Sequence, residues 1–186
     1  MSAKVQPLLT VADLELMPDD GNRYELFEGE LFVSRSPGIP HQVVLGNIYF
    51  VLRTYLVQNP LGEVVITPGV MFNDLNAAIP DALFFSHQRG KEVIHNERLY
   101  GPPELMIEIL SRGKENIRRD REVKLKVYAK YGVKEYWIID PANLKVEVYR
   151  LKRRHFALVE TLAGDDELTS PVLPGLKCKV RGFFSS

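Results

Sequence analysis

The fold is decided between Pro80 and Asp140, above all by the stretch Glu104-Leu105-Met106-Ile107-Glu108-Ile109-Leu110. An apolar run of this length is typical of a central strand that is buried on both faces. A second run, Glu135-Tyr136-Trp137-Ile138-Ile139-Asp140, predicts another buried strand. Between the two, residues 117–131 have helical spacing, and Gly132 follows as a residue favoured just beyond a helix end.

The elements outside this centre complete the predicted fold. Arg23–Phe27 and Glu30–Ser34 predict an N-terminal hairpin. A long helix begins near His41, with an apolar stripe made of Val44, Leu45, Ile48, Val51, Leu52, Tyr55 and Leu56. Further strands are predicted at residues 63–67, 70–72, 81–85, 145–151, 156–161 and 173–180, whereas residues 86–101 predict a loop with one short helix. This order predicts an α/β (α+β) fold with a mixed central sheet flanked by two main helices and followed by C-terminal strands.

The composition is that of a globular protein. The 186 residues suit one domain over residues 1–186, with 45% hydrophobic and 26% charged residues. No apolar run approaches the roughly 18 residues that a membrane span needs, so we expect no membrane association. Residues 1–5 lack the apolar region of a signal peptide. Cys178 is the only cysteine, which excludes an internal disulfide and a cysteine-rich zinc site and predicts a cytoplasmic protein.

The charge is balanced overall but unevenly distributed. Residues 1–110 carry 7 Lys+Arg and 14 Asp+Glu, whereas residues 111–186 carry 17 and 10, so the two parts have net charges of −7 and +7. Residues 112–134 hold nine bases and three acids. These bases indicate either a phosphate-bearing partner or simply a solvated helix face.

Two carboxylates stand in apolar strands. Asp81 shares a strand face with Leu83 and Phe85, which is costly unless the carboxylate has a partner or the position is an edge that faces water. Glu108 is the only charge between Leu105 and Leu110, so it requires a cation partner or a proton. The partner is either a metal or a lysine of a functional site, or the basic residue of a purely structural salt bridge.

The second helix predicts which of its charges face the sheet. Asp120 and Lys124 fall in the inward stripe with Ile117, Val127, Tyr128 and Tyr131, so Lys124 either serves a site or pairs with Asp120. Arg119, Glu122 and Lys126 fall on the opposite, solvated face. Two carboxylates could hold Mg²⁺. A lysine nearby could orient the attacking water or stabilise the charge that develops on a scissile phosphate.

Several stretches carry a resemblance to a known family. Pro80-Asp81 followed by Glu108 in an apolar strand resembles the PD-(D/E)xK nuclease superfamily. More narrowly, the chain resembles the Uma family of restriction endonucleases. The matching stretches are Arg23–Leu31, His41, Pro80-Asp81, Pro103–Ser111, Asp120–Tyr128, Gly132–Pro141 and Leu173–Leu176.

The resemblance implies specific roles. Asp81 and Glu108 would be metal ligands, with the main-chain carbonyl of Ile109 as a third, and the metal would be Mg²⁺ or, as a substitute, Mn²⁺. The superfamily's lysine normally stands where this chain has Leu110, and the Uma pattern supplies Lys124 from the helix instead.

Four further residues are lower-ranking candidates for the site. Glu25 matches the family pattern but could equally lie on the solvent side of the hairpin. His41 could support the metal ligands or only begin its helix. Asp120 and Tyr128 complete the supporting set on the second helix.

We therefore predict a Mg²⁺-dependent endonuclease that acts on DNA as a homodimer, because two-fold dimers are common and suit the cutting of both strands. The residues predicted to contact nucleic acid are Arg112, Lys114, Arg118, Arg119 and Arg121. One alternative is a nuclease fold with a degenerate site that binds nucleic acid or a protein. Another is a structural protein that self-associates through its acidic and basic faces.

Overall fold

The computed structural model describes residues 7–185. Residues 1–5, on which the predicted lack of a signal peptide rests, lie outside that range. Residues 6 and 186, which belong to the predicted domain, lie outside it as well. The helices of the described part are α1 (Val11–Leu14), α2 (Ile39–Gln58), α3 (His87–Val93), α4 (Lys114–Arg118), α5 (Leu125–Tyr131) and α6 (Arg181–Phe184). A π-helical segment, Arg119–Lys124, joins α4 to α5.

The strands form two six-stranded sheets and one two-stranded sheet. Those of the N-terminal half are β1 (Arg23–Phe27), β2 (Glu30–Ser34), β3 (Gly62–Ile66), β4 (Val70–Asn73), β5 (Asn76–Ala78), β6 (Ala82–Ser86), β7 (Ile94–His95) and β8 (Arg98–Tyr100). Those that follow are β9 (Leu105–Ile109), β10 (Glu135–Asp140), β11 (Lys145–Lys152), β12 (His155–Ala163), β13 (Glu167–Ser170) and β14 (Leu173–Lys179).

The central sheet is mixed, as predicted. Its order is β12-β11-β10-β9-β6-β3, and β9 and β10 are parallel while their other neighbours are antiparallel. A parallel pair needs a crossover connection, which the helical stretch from α4 to α5 provides. β9 and β10 are buried along their whole length because α2 covers one face of the sheet and α5 the other. The predicted mixed sheet between two main helices is therefore confirmed.

The second sheet was not predicted. Its order is β2-β1-β5-β4-β8-β7, and β5, β7 and β8 have only two or three residues each. Strands this short show no periodicity in the sequence, so residues 86–101, which include β7 and β8, were interpreted as a loop with one short helix. The hairpin of β1 and β2 is confirmed: Glu28 and Gly29 both have positive φ, at 52° and 78°, as a two-residue type I′ turn requires.

The π-helical segment changes the orientation of the residues that precede it. A π-helical turn adds one residue, which rotates the preceding turn relative to an uninterrupted α-helix. Ile117, predicted to face the sheet, is 38% exposed, while the Arg119 side chain is only 11% exposed. The predicted placement of these two residues is therefore wrong, whereas Asp120, Lys124 and the exposed Lys126 lie as expected.

The packing between the sheet and α2 gives a stability prediction. Ile107 of β9 is fully buried against this helix, so Ile107→Val is expected to lower the free energy of unfolding by about 0.5–1.5 kcal/mol. Chemical denaturation measures this change. The same substitution at Ile66, which is 44% exposed, serves as the control and should change stability far less. Equal losses at both positions would contradict the described packing.

None of the helices in residues 7–185 combines the length and apolarity that crossing a membrane would require.

Candidate active site

Asp81 and Glu108 come together because β6 and β9 are antiparallel neighbours. Ala82 pairs with Ile107, so continuing the register by one residue places Asp81 opposite Glu108. Opposite residues of an antiparallel pair project from the same face with Cβ atoms about 5 Å apart. The structure thus brings together the two carboxylates that the sequence singled out. Each of these residues is only 3% exposed.

Asp81 is held in its charged form by three donors. Its Oδ1 accepts from Arg23 Nη1 at 3.0 Å, and its Oδ2 lies 3.1 Å from His41 Nε2 and 2.8 Å from the Ile109 backbone nitrogen. Burial alone would raise the pKa of Asp81, but His41, the Ile109 N–H and Arg23 together hold it below its ordinary value. His41 therefore lies in the site, beside a predicted metal ligand rather than at an unrelated helix start.

Glu108 is positioned by two donors on the second helix. Its Oε1 accepts from Lys124 Nζ at 2.9 Å and from the Tyr128 hydroxyl at 2.8 Å. Burial raises the pKa of Glu108, and the Lys124 ammonium opposes part of that rise. Both donors use Oε1, so among the described residues none hydrogen-bonds to Oε2, which remains available towards the cleft.

Lys124 lies among three carboxylates. Besides Glu108, its Nζ is 3.0 Å from Glu25 Oε1 and 3.5 Å from Asp120 Oδ1. Burial would lower the pKa of Lys124, but these three carboxylates outweigh it and raise the pKa above the ordinary value. Glu25 lies on β1 and also accepts from the Ile79 backbone N–H at 2.9 Å, so it faces the interior rather than solvent.

Asp120 is buried in the same cluster. Burial raises its pKa above the ordinary value, although Lys124 and Arg119 oppose the rise. The predicted pairing of Lys124 with Asp120 is therefore present, but it is the longest of the three contacts of Lys124. Lys124 contacts both Glu108 and Asp120. A position in the site and a pairing with Asp120 therefore do not exclude each other.

A cleft of about 1110 Å³ opens above these side chains. It is lined by residues from both six-stranded sheets, from the start of α2 and from the π-helical segment. Of the residues predicted to contact nucleic acid, Arg112, Arg119 and Arg121 line the cleft, whereas Lys114 and Arg118 do not. Arg118 instead pairs with Glu122 and Glu115 on the exposed helix face.

Arg23 was not identified as a site residue from the sequence, and Arg119 was predicted only as a nucleic-acid contact on the solvated helix face. Arg23 pairs with Asp81, and Arg119 Nε lies 3.4 Å from Asp120 Oδ1 and 3.8 Å from Glu25 Oε2. The rule that a buried carboxylate needs a cation predicts that such partners exist but not which residues they are. Arg23 stands two residues before Glu25 in the hairpin, so the two side chains share one face of β1, and this spacing was the available signal.

The donor set suits a hard divalent cation. Within residues 7–185, no three His, Cys, Asp or Glu side chains form a metal-binding group by themselves. Mg²⁺, however, is usually bound through one or two carboxylates together with waters and substrate phosphates. Asp81 and Glu108 both line the cleft and offer that chemistry, and both donors of Glu108 contact the same oxygen, Oε1. The residues present therefore fit Mg²⁺ or Mn²⁺.

The two mixed sheets and their helices define an α+β protein. Residues 11–181 match the Uma2 family, described as "Putative restriction endonuclease", and the chain belongs to this family. A similar solved structure is a protein from Anabaena variabilis ATCC 29413 described as "a putative nuclease belonging to DUF820". It shares 20% sequence identity, with a TM-score of 0.78, over 95% of this chain and 97% of that one, which supports the fold. No curated protein matches the sequence.

Proposed function

We propose that this chain is a metal-dependent endonuclease that hydrolyses DNA phosphodiester bonds. The observation that carries the proposal is the alignment of Asp81 and Glu108 across β6 and β9, with Lys124 2.9 Å from Glu108, beside a cleft of about 1110 Å³. Membership of the restriction-endonuclease family supports the same reaction class.

Asp81 and Glu108 would hold the ion, and the Ile109 main-chain carbonyl would be a third oxygen ligand. A bound Mg²⁺ supplies Lewis-acid chemistry that acidifies water and neutralises charge on the phosphate. Tyr128 and Lys124 fix one oxygen of Glu108, so the other stays directed at the cleft. His41 and the Ile109 N–H fix the orientation of Asp81 in the same way.

Lys124 would act on the charge that develops during hydrolysis. Its ammonium stays protonated because three carboxylates surround it, so it can stabilise an anionic phosphate oxygen or orient water. Arg112, Arg119 and Arg121 along the cleft would contact neighbouring phosphates of the DNA. Arg119 lies deepest of the three, so we assign it a phosphate close to the scissile bond.

Nicking of supercoiled plasmid tests the proposal. Wild-type protein with Mg²⁺ or Mn²⁺ should convert supercoiled DNA to open circles, and EDTA should stop the reaction. Asp81→Ala, Glu108→Ala and Lys124→Ala should each lose the activity, whereas Lys126→Ala, an exposed lysine of the same helix, should keep it. Nicking that survives the three site substitutions would refute this assignment.

A second candidate is a nuclease fold that binds nucleic acid without cutting it. Leu110, where the superfamily has its lysine, and the pairing of Asp81 and Glu108 with basic side chains favour this candidate. It predicts no cleavage with any metal and DNA binding that persists in EDTA. Nuclease activity that disappears with Glu108→Ala would exclude it.

A further inference from the structure

The outer face of α2 carries a line of exposed apolar residues. Its inner face packs on the central sheet, but Ile39, Val43, Phe50 and Val57 are 80%, 42%, 71% and 69% exposed. An ordinary surface helix directs charged and polar residues to solvent. The only Lys, Arg, Asp or Glu in this helix is Arg53, which pairs with Glu63 at 3.1 Å. The outer face therefore resembles a surface that another element covers.

The exposed apolar residues follow the spacing of a helix–helix seam. Positions 39, 43, 46, 50, 53 and 57 are separated alternately by four and three residues, which is the a/d pattern of paired helices. We call these six positions the α2 stripe. They run almost the whole length of the 20-residue helix, so the stripe suits a partner helix of similar length.

Gly46 lies in the middle of the stripe, and no close approach within residues 7–185 requires a glycine there. A Cβ added there would meet open space, because beyond its chain neighbours and the backbone of its own helix no atom of the described residues lies within 4 Å. Glycine is unfavourable in a helix interior, so an exposed alanine or polar residue would suit an isolated helix better. In a seam, by contrast, a glycine leaves a gap that a large side chain of the facing helix can fill.

We propose that the α2 stripe is the interface of a homodimer in which two copies of α2 pack antiparallel. With the two-fold axis beside residue 48, near the middle of the helix, Phe50 of each copy lies over Gly46 of the other. The same axis places Ile39 beside Val57 and Val43 beside the aliphatic stem of Arg53. One helix thus carries both the large residue and the matching gap, which is the self-complementarity that a two-fold interface requires.

The stripe is a poor match for other occupants. A helix that lies on a membrane surface carries Lys and Arg on its polar face, and α2 offers only the paired Arg53. A strongly charged partner, including nucleic acid, would find no unpaired charge along the stripe. The interface is also independent of the proposed nuclease activity, because none of its six positions contacts Asp81, Glu108 or Lys124.

Light scattering coupled to size-exclusion chromatography tests the interface. Wild-type protein at tens of micromolar should have twice the mass of one chain. Phe50→Glu and Gly46→Leu should each give monomers, because the first buries a charge and the second fills the gap. Leu16→Glu adds the same charge at a similarly exposed residue outside the stripe, 82% exposed, and should remain dimeric.

A second variant separates a role in assembly from a role in folding. Within the Phe50→Glu monomer, adding Gly46→Leu should not lower the thermal midpoint, since the leucine meets open space in a single copy. A lowered midpoint would show that Gly46 serves the folding of one chain, which would overturn the proposal. So would a monomeric wild type, or stripe variants that stay dimeric.

Orientation and a lipid partner can be tested on the same protein. In a Cys178→Ser background, Ile39→Cys and Val57→Cys should form a disulfide when mixed but not separately, because antiparallel packing places residue 39 beside residue 57. Cross-linking of each variant with itself alone would overturn the antiparallel arrangement. Binding of wild-type protein to anionic vesicles that Phe50→Glu abolishes would assign the stripe to a membrane and overturn the proposal. A dimer without nuclease activity would leave this interface intact while refuting the proposed function.

Discussion

Replacing Lys124 with methionine is expected to lower the free energy of unfolding by about 3–5 kcal/mol. Methionine is similar in length and apolar, so the substitution removes the charge with little change in packing. It leaves Glu108, Glu25 and Asp120 buried without the ammonium that lies 2.9, 3.0 and 3.5 Å from them. Removing one partner of a buried ion pair is costly because the remaining charge cannot recover its hydration.

Urea denaturation compares this variant with Lys126→Met. Lys126 lies on the exposed face of the same helix, so its substitution should change stability by no more than about 0.5 kcal/mol. Glu108→Gln combined with Lys124→Met should recover part of the loss, because it removes one of the three carboxylates. If Lys124→Met were as stable as the control, the cluster could not be a network of ionised groups.

The position of Lys124 could be predicted from the sequence because helical periodicity is local. Lys124 directly precedes the regular helix α5, which holds Val127, Tyr128 and Tyr131, so helical spacing was sufficient to place it on their side. The same rule failed for Arg119, since the π-helical segment adds a residue between it and that regular part. The sequence gives no clear sign of such an insertion, so the predicted inward face of the second helix was extended one turn too far towards its N-terminus, to Ile117.

The pairing of distant elements was harder to predict. The buried charge of Asp81 indicated that a partner must exist, but that partner, Arg23, is 58 residues away on a strand of the other large sheet. Local sequence patterns predict strands and the faces of strands. Which strands become neighbours in a sheet depends on the topology of the whole fold, which local patterns do not contain. For the same reason, the sequence did not decide whether Glu25 faces solvent or the site. In the structure Glu25 lies beside Lys124.

The predicted single domain over residues 1–186 stays a prediction, and so do the metal and the roles of the site residues. What the structure adds is proximity. Asp81 contacts His41, while Lys124 contacts Glu108, Glu25 and Asp120, and Tyr128 contacts Glu108. The β6–β9 register places Asp81 opposite Glu108, which brings these two groups side by side. These seven side chains come from five different parts of the chain, so a chance arrangement of charges is an unsatisfactory explanation. The proposed roles rest on this convergence.

Moving the lysine along the chain tests what Lys124 contributes to catalysis. Lys124→Ala is expected to lower the rate of plasmid nicking by about 10²–10³-fold, as loss of a group that stabilises developing charge commonly does. Leu110→Lys then places an amine two residues after Glu108, where the superfamily normally has it. Leu110 lines the cleft and is only partly buried, so a lysine stem can reach the Glu108 carboxylate from the open side.

The double variant Lys124→Ala/Leu110→Lys should therefore nick DNA at least roughly tenfold faster than Lys124→Ala alone. Leu110→Lys by itself should keep the wild-type dependence on Mg²⁺, since it leaves Asp81, Glu108 and Lys124 in place. The assays need a temperature at which denaturation curves show every variant folded, because loss of Lys124 is also expected to lower stability. A folded double variant that recovers no activity would show that the amine must come from the helix, where Glu25 and Asp120 hold it beside Glu108.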